Sequence, residues 1–380
     1  MSQGPIAILG AGNGGQCAAA DLTLAGFEVN LFQLLEFKEE FEAVRRRKEI
    51  TLEGVGRTGT ARLNKATYDI EDSLEDAEIV LVIVPSFGHA TMAQLAAPCL
   101  EDGQIVAFLP GNGGSLEWHR ILRELGVTAD ILLAESCTLP YGARLVEPGV
   151  VRNMVKSVTL PTGVFPAKRA DEAISRLREL YPAIAPCQDV LEAAINNANP
   201  IVHPAATLLN AGRIEYSRGD FFLYVEGMTP SVARIYESLN EERLAICDRV
   251  GWKLYHWDNL DFRGYQLGET LEEMRARILN TSMDATFGEG SIEPGMQMIG
   301  PRSMQDRFIT EDVPYGLTLT QQIGEMLGVP TPTTSAIVQL CSVINGADYG
   351  AQGRGIKELG LEGLDAESLQ AFLREGSRPG

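Results

Sequence analysis

No two of the six cysteines form a C-x-x-C pair. Cys17, Cys99, Cys137, Cys187, Cys247 and Cys341 lie far apart, which argues against a zinc site and against a dense disulfide framework. Free thiols in a reducing cytoplasm are expected. Long hydrophobic runs are missing as well: the longest, Ile79–Val84, falls far short of the ~20 residues that span a bilayer, and no basic stretch precedes an apolar one at the start. The expectation is a cytoplasmic protein with no membrane partner. Positive charge is scarce, with 32 Lys and Arg against 51 Asp and Glu and a net charge of −19. Such a field repels phosphate backbones and anionic headgroups, so nucleic acid is excluded as a partner and any anionic ligand must be held locally. Histidine, the side chain that most readily moves protons near neutral pH, occurs only four times.

What is present is an ordinary globular composition, 45% hydrophobic and 22% charged over 380 residues, enough for two domains with a core in each. Ile6–Leu9 is apolar and runs into Gly10-Ala11-Gly12-Asn13-Gly14-Gly15, after which Cys17–Ala25 carries Ala and Leu at helical density. Gly26 ends that helix and Val29–Phe32 supplies a second strand, a β-α-β unit of about 30 residues. Apolar runs at Ile79–Val84, Ile105–Leu109, Ile131–Ala134 and Val155–Leu160 predict further strands of a mostly parallel sheet. These runs place an α/β Rossmann-type domain over residues 1–187. From residue 188 to 380 the texture is long and amphipathic, which predicts an all-α domain. Its clearest helix starts at Thr229-Pro230, places Val232, Ile235, Tyr236, Leu239, Ile246, Cys247 and Val250 near one face, and ends at Gly251.

Gly10-x-Gly12-x-x-Gly15 between a strand and a helix is the dinucleotide fingerprint in its proper context. Gly10 allows the tight turn, Gly12 lets backbone approach a pyrophosphate, and Gly15 lets helix pack on strand; Asn13 and Gly14 complete the cofactor loop. After the second strand, where an NAD-selective site usually carries a carboxylate, stands Gln33, able to bond a ribose hydroxyl. Arg45-Arg46-Arg47-Lys48 is either a 2′-phosphate site or a solvated helix face. NAD and NADP are both open.

Hydride transfer to a carbonyl or imine needs a proton donor or acceptor, a group that orients it, and a cation for a substrate carboxylate. His119 reads as lying in an exposed helix and His256 among aromatics; His89 follows the strand that ends at Val84-Pro85-Ser86, on the cofactor side of the sheet. His203 stands in Asn196-Asn197-Ala198-Asn199-Pro200-Ile201-Val202-His203-Pro204, polar density at the start of the helical domain that suggests a cleft; the bland alternative is a buried structural histidine. The segment Arg302–Gly316 carries charges, Pro314 and a terminal glycine, and reads as a functional loop leading into a helix.

Taken together, Gly10–Gly15, Pro110-Gly111-Asn112-Gly113-Gly114, Thr138-Leu139-Pro140-Tyr141, Asn199-Pro200-x-x-His203-Pro204 and Arg307-x-x-Thr310-Glu311-Asp312-Val313-Pro314-Tyr315-Gly316 resemble the octopine/nopaline (opine) dehydrogenases over nearly the whole chain. The resemblance implies a Rossmann domain followed by a helical domain like the C-terminal part of 6-phosphogluconate dehydrogenase. It also implies the NAD(P)H-dependent reductive condensation of an α-keto acid, commonly pyruvate, with the amine of an amino acid. Carried onto this chain, it makes His203 the general acid/base, Asp312 its dyad partner and Arg307 the clamp on the keto-acid carboxylate. Cys137 and Thr138 would line the keto-acid pocket, and Pro85 and Ser86 would sit near the nicotinamide. No metal is implied, and a homodimer is compatible with the sequence.

Ketopantoate reductases share the architecture, but their junction reads Lys-x-x-x-Asn-x-x-x-Asn-Pro. Here the same register gives Ile195, Asn199 and His203-Pro204, so the lysine is missing and the second asparagine is histidine. The remaining alternatives are a simple hydroxy-acid dehydrogenase on the same scaffold and a non-catalytic NAD(P) sensor.

Overall fold

In a computed structural model, residues 4–254 and 299–378 are described. They fall into two compact units, residues 4–193 with Leu373–Ser377, and residues 194–254 with 299–372. His256 lies outside the described residues. No helix among the described residues is long and apolar enough to cross a membrane.

The first unit holds twelve strands: β1 (Ile6–Leu9), β2 (Val29–Phe32), β3 (Glu49–Gly54), β4 (Gly59–Arg62), β5 (Lys65–Thr67), β6 (Ile79–Val82), β7 (Ile105–Phe108), β8 (Leu132–Ser136), β9 (Tyr141–Glu147), β10 (Val150–Lys156), β11 (Leu160–Phe165) and β12 (Ile184–Pro186). Eight of them form one sheet in the order β12-β11-β8-β7-β6-β1-β2-β5. Strands β1, β2, β6 and β7 are buried along their whole length, which is why β1, β6 and β7 read as unbroken apolar runs and not as alternating ones; β2 carries one polar residue, Asn30, whose Nδ2 donates to the Ser73 carbonyl at 3.0 Å. β1 pairs in parallel with β2 on one side, Leu9 opposite Phe32, and with β6 on the other, Leu9 opposite Val82. The strand order reverses across β1, and a crevice beyond the carboxyl ends of strands at such a point is where α/β sheets bind ligands.

Two expectations about strands are corrected. Val155–Leu160 is no single strand: β10 ends at Lys156 and β11 starts at Leu160, with Ser157, Val158 and Thr159 turning the chain from one sheet to the other. β11 then runs antiparallel to β8, with Thr162 opposite Ser136, and pairs in parallel with the edge strand β12, so these two strands oppose the direction of the other six. A second sheet, β4-β3-β10-β9, was not foreseen. Its strands are partly exposed and carry Glu49, Glu53, Arg62, Arg144 and Lys156, so they lack the apolar density that marked the first sheet.

The second unit is helical among its described residues apart from a bridge between Phe222 and Ile299. The helix Pro230–Val250 begins and ends as the sequence predicts, with Thr229 extended before it and Gly251 at φ 79° after it. It buries Val232, Tyr236, Leu239, Ile246, Cys247 and Val250, while Ile235 stays half-buried. Against it packs the helix Asn199–Leu209, which has Pro200 in its first turn and Pro204 in its interior. The stretch read as a loop between Arg302 and Gly316 is instead a short helix, Arg307–Thr310, capped by Asp306 and followed by a π-helical turn, Val313–Leu317. Pro314 is tolerated there because it stands in the first turn, where an N–H has no intrahelical acceptor.

Candidate active site

In the first unit the glycine loop leaves β1 at its carboxyl end. Gly10 has φ 108°, and a Cβ there would stand 2.4 Å from the Ile83 carbonyl oxygen. A Cβ on Gly15 would lie 1.8 Å from the Gly10 carbonyl oxygen, so only glycine lets the helix Asn13–Leu24 pack this closely on the strand end. Gly14 faces Leu139. Gly12 differs from these three: a Cβ on it would meet nothing within 4 Å, so its bare backbone opens onto free space at the start of a 12-residue helix with no acidic residue in its first turn. That is the cradle a pyrophosphate needs, since helix N-terminal N–H groups attract anions. Asn13 turns its side chain away to the protein, Oδ1 accepting from the Leu145 N–H at 2.7 Å.

Gln33 is buried at the end of β2, and its Oε1 accepts from Leu34 N–H at 3.0 Å. The basic run that follows is engaged within the chain. Arg45 and Arg46 pair with Glu42, Arg47 donates to the Pro148 carbonyl and Lys48 to the Asn64 carbonyl. This is the helix-face reading of those four residues.

Pro85 and Ser86 follow β6, and the buried Ser86 Oγ accepts from Asn112 Nδ2 at 3.0 Å. Asn112 belongs to the loop Pro110–Gly114, where Asn112 (φ 51°) and Gly113 (φ 81°) are both left-handed. What holds this loop is Glu135, fully buried in β8. Its Oε1 accepts from Gly113 N–H at 3.0 Å, and its Oε2 accepts from Ser115 N–H at 3.1 Å and Ser115 Oγ at 2.7 Å. A carboxylate here caps the helix Gly114–Glu124, whose N-cap Gly113 has no side chain to do so. Sequence reasoning missed Glu135. Its signal was a lone charge inside the apolar strand Leu132–Ser136. Cys137 is buried next to it, its N–H donating to the Pro161 carbonyl at 2.9 Å, and Thr138 is half-buried with its carbonyl accepting from Ser136 Oγ at 2.7 Å.

Two histidines of this unit are packing residues. His89 is fully buried, edge-on to Phe108 at 5.1 Å, with its carbonyl accepting from Trp118 Nε1 at 2.8 Å. His119 is not on an exposed face as expected. It sits edge-on to Phe165 at 4.7 Å, and burial holds its pKa down at about 4.

The second unit brings His203 and Asp312 together across 109 residues of sequence, His203 Nδ1 lying 2.7 Å from Asp312 Oδ2. Both side chains are largely buried, 14% and 10% exposed. Burial raises the Asp312 pKa; the attraction of His203 and its hydrogen bond oppose that shift, Glu311 adds to it and Arg307 opposes it. With Asp312 ionised, Nδ1 carries the hydrogen and donates it, which leaves Nε2 as the acceptor; among the described residues nothing else bonds to this ring. The carboxylate fixes the tautomer and steadies the imidazolium once a proton is gained.

Two residues of the helix Pro230–Val250, two turns apart, hold the frame. Tyr236 donates its hydroxyl to the Val202 carbonyl at 2.6 Å. Arg243, buried, donates to the Ile195 and Asn197 carbonyls at 3.1 and 3.2 Å, tying down the junction that leads into the His203 helix. Gly316 completes the frame, because a Cβ on it would lie 2.2 Å from Pro200 Cγ. The π-helical turn therefore comes up against the first turn of the His203 helix, and Asp312, the residue before that turn, reaches the imidazole.

Arg307 lies one helical turn before Glu311. Its Nε donates to Glu311 Oε2 at 2.7 Å and its Nη2 donates to the same oxygen. The arginine side chain is 65% exposed and the glutamate 9%. Glu311 thus occupies one edge of the guanidinium fork, and the Nη1 side of the fork carries no bond among the described residues. No group of three or more His, Cys, Asp or Glu among the described residues is placed to hold a metal.

A model of the NAD/NADP octopine/nopaline dehydrogenase α-helical domain matches residues 186–345, and one of ketopantoate reductase PanE/ApbA matches residues 6–163. The chain is 32% identical over 369 residues to the opine dehydrogenase of Arthrobacter sp. (strain 1C), covering 97% of this chain and 98% of that protein. An octopine dehydrogenase solved in complex with NADH and agmatine superposes with a TM-score of 0.73 at 20% identity, covering 100% of this chain and 99% of that one. A yersinopine dehydrogenase solved with NADP+ bound superposes with a TM-score of 0.67 at 15% identity, covering 98% of each chain. These two likenesses establish the fold: a Rossmann-type domain followed by a helical one. The full-length identity to the Arthrobacter enzyme goes further, and on it the chain belongs to the opine dehydrogenase family.

Proposed function

We propose that this chain is an opine dehydrogenase that condenses an α-keto acid with the amine of an amino acid and reduces the imine with NADH or NADPH. His203 and Asp312 would move the proton and Arg307 would hold the keto-acid carboxylate. The observation that carries the reading is the 2.7 Å bond between His203 and Asp312. Arg307 opens the short helix Arg307–Thr310, and Asp312 follows two residues after its end.

The dinucleotide would be held by Gly10, Gly12, Asn13, Gly14 and Gly15, with Gln33 at the ribose and Pro85 and Ser86 near the nicotinamide. The fit is the open side of Gly12 at the helix N-terminus. When bound, the cofactor supplies a hydride. The chain's own residues do the rest. The side of the Arg307 fork that Glu311 leaves clear can pair with a keto-acid carboxylate. Neutral His203 takes the proton that an ammonium must lose before its nitrogen attacks the carbonyl carbon. It returns that proton to the carbinolamine hydroxyl, which leaves as water. Throughout, Asp312 keeps the ring in one tautomer and stabilises its charged form. The described cysteines are all free thiols, which suits a reducing cytoplasm.

The test is oxidation of NADH and of NADPH, separately, by the purified protein with pyruvate plus each of a panel of amino acids, and with pyruvate alone. Oxidation that requires an amine is expected. Equal oxidation by the keto acid alone would move the protein to the hydroxy-acid dehydrogenases, and bound but unconsumed cofactor throughout would make it a sensor.

A further inference from the structure

Asp312 fixes one nitrogen of the His203 ring but not the plane of the ring. A single hydrogen bond at Nδ1 leaves the imidazole free to rock about the line joining it to the carboxylate. A second contact removes that freedom. The Phe308 ring lies face to face with the imidazole, centroids 4.0 Å apart and planes 15° from parallel. Tyr224 lies further off, at 6.3 Å and 30°.

The placing of Phe308 is not explained by the core. The short helix Arg307–Thr310 is anchored by Ile309, which is fully buried, whereas Phe308 is only half-buried. Asp306 sets the start of the helix by accepting the Phe308 N–H at 3.1 Å, and Phe308 and Asp312 stand four residues apart, so they share a face of the helical segment. One stretch of chain therefore presents to His203 a carboxylate at the ring edge and an aromatic face against the ring plane. Arg307 and Glu311, also four apart, use the adjacent face for the substrate clamp.

We propose that Phe308 is a positioning residue of the acid/base histidine. It holds the His203 ring plane so that Nε2 points along one direction. The proposal rests on the reading of His203 as the proton carrier and says which residue sets that carrier's orientation.

Phe308→Leu keeps the apolar bulk and removes the aromatic face; Phe308→Tyr keeps the face. In steady-state assays of amine-dependent NAD(P)H oxidation, Phe308→Leu is expected to lower kcat about tenfold and to leave the KM for keto acid, amine and cofactor within about twofold. Phe308→Tyr should restore kcat to within about threefold of the wild type. The same leucine substitution placed in a His203→Ala background should change nothing further, because the ring it acts through is gone. A Phe308→Leu enzyme with wild-type kcat would overturn the proposal, and so would a loss that persists equally in the His203→Ala background or that Phe308→Tyr fails to rescue. If His203→Ala itself turns over normally, the reading of the dyad fails, and that outcome is separate from a null result at Phe308.

Discussion

Gly316 offers a perturbation whose size can be worked from the structure. Its φ lies outside the left-handed region, so alanine at this position suffers no backbone strain and the effect is steric alone. The added Cβ would lie 2.2 Å from Pro200 Cγ and 2.5 Å from Pro200 Cβ, in a proline ring that cannot rotate away. To reach the 3.4 Å at which ordinary contact begins, the π-helical turn and the first turn of the His203 helix must part by at least about 1.2 Å. A shift of that size along the bond from His203 to Asp312 would take it from 2.7 Å to about 3.9 Å, beyond hydrogen-bonding range. Misplacement of a catalytic group by about 1 Å costs on the order of 10² in rate, close to 3 kcal/mol in barrier, and overpacking adds about 1–3 kcal/mol of lost stability. The assay is kcat at saturating substrates, read beside the thermal midpoint. A Gly316→Ala enzyme that stays folded is expected to lose about two orders of magnitude in kcat while keeping its dinucleotide KM. If its kcat equals the wild-type value, the contact between the π-helical turn and Pro200 does not set the dyad.

Four further outcomes follow from the geometry. Asp312→Asn should cut kcat by about 10³-fold without destabilising the protein at neutral pH. Burial raises the Asp312 pKa, so whatever stability this group contributes is present below the ordinary carboxylate value and lost as pH rises through the raised one; thermal melts at pH 7.5 check this. Arg307→Ala should raise the keto-acid KM by about 10²-fold while leaving the cofactor KM unchanged, since the contact proposed for it is a charged carboxylate pair. Gly12→Ala meets no atom within 4 Å and should fold normally, yet its methyl group occupies the cradle, so the NAD(P)H KM should rise about tenfold or more in fluorescence titration or kinetics. His119, held at about 4, is neutral when folded, and the stability this gives is full above its ordinary value of 6.5 and lost as pH falls toward 4. His119→Phe should flatten the acid limb of denaturant-measured stability by at most about 3 kcal/mol; an unchanged acid limb would refute the assignment.

The fold was legible where one physical effect dominated. Strands buried on both faces show as apolar runs, and the glycine loop shows because each glycine answers a different steric demand: Gly10 a positive φ, Gly12 an open side, Gly15 contact with the Gly10 carbonyl. The second sheet was invisible because β3, β4, β9 and β10 are half-exposed and charged, and no run of one character marks them. His119 was misread because exposure was judged from its helix alone, while the aromatic it packs on, Phe165, comes from β11, 46 residues further along the chain. In the candidate site, His203, Asp312 and Arg307 were reached by motif. Glu135, Phe308, Tyr236 and Arg243 were not, because each acts on another residue's backbone or ring across a distance that sequence does not encode. Pro314 and Gly316 together suggested a loop; the π-helical turn accommodates both, the proline in its first turn and the glycine against Pro200.

The central claim is that a carbon–nitrogen bond forms and is then reduced, with His203 moving the proton. Its most direct test is the product made from NAD(P)H deuterated at the transferring position, with pyruvate and the amine that supports turnover, analysed by mass spectrometry for wild type and His203→Ala side by side. The account predicts an N-(carboxyethyl) amino acid carrying one deuterium at the former keto carbon, made by the wild type and nearly absent from the variant. Deuterated lactate in place of the secondary amine would contradict the proposed reaction, and undiminished opine formation by His203→Ala would contradict the proposed role of the dyad.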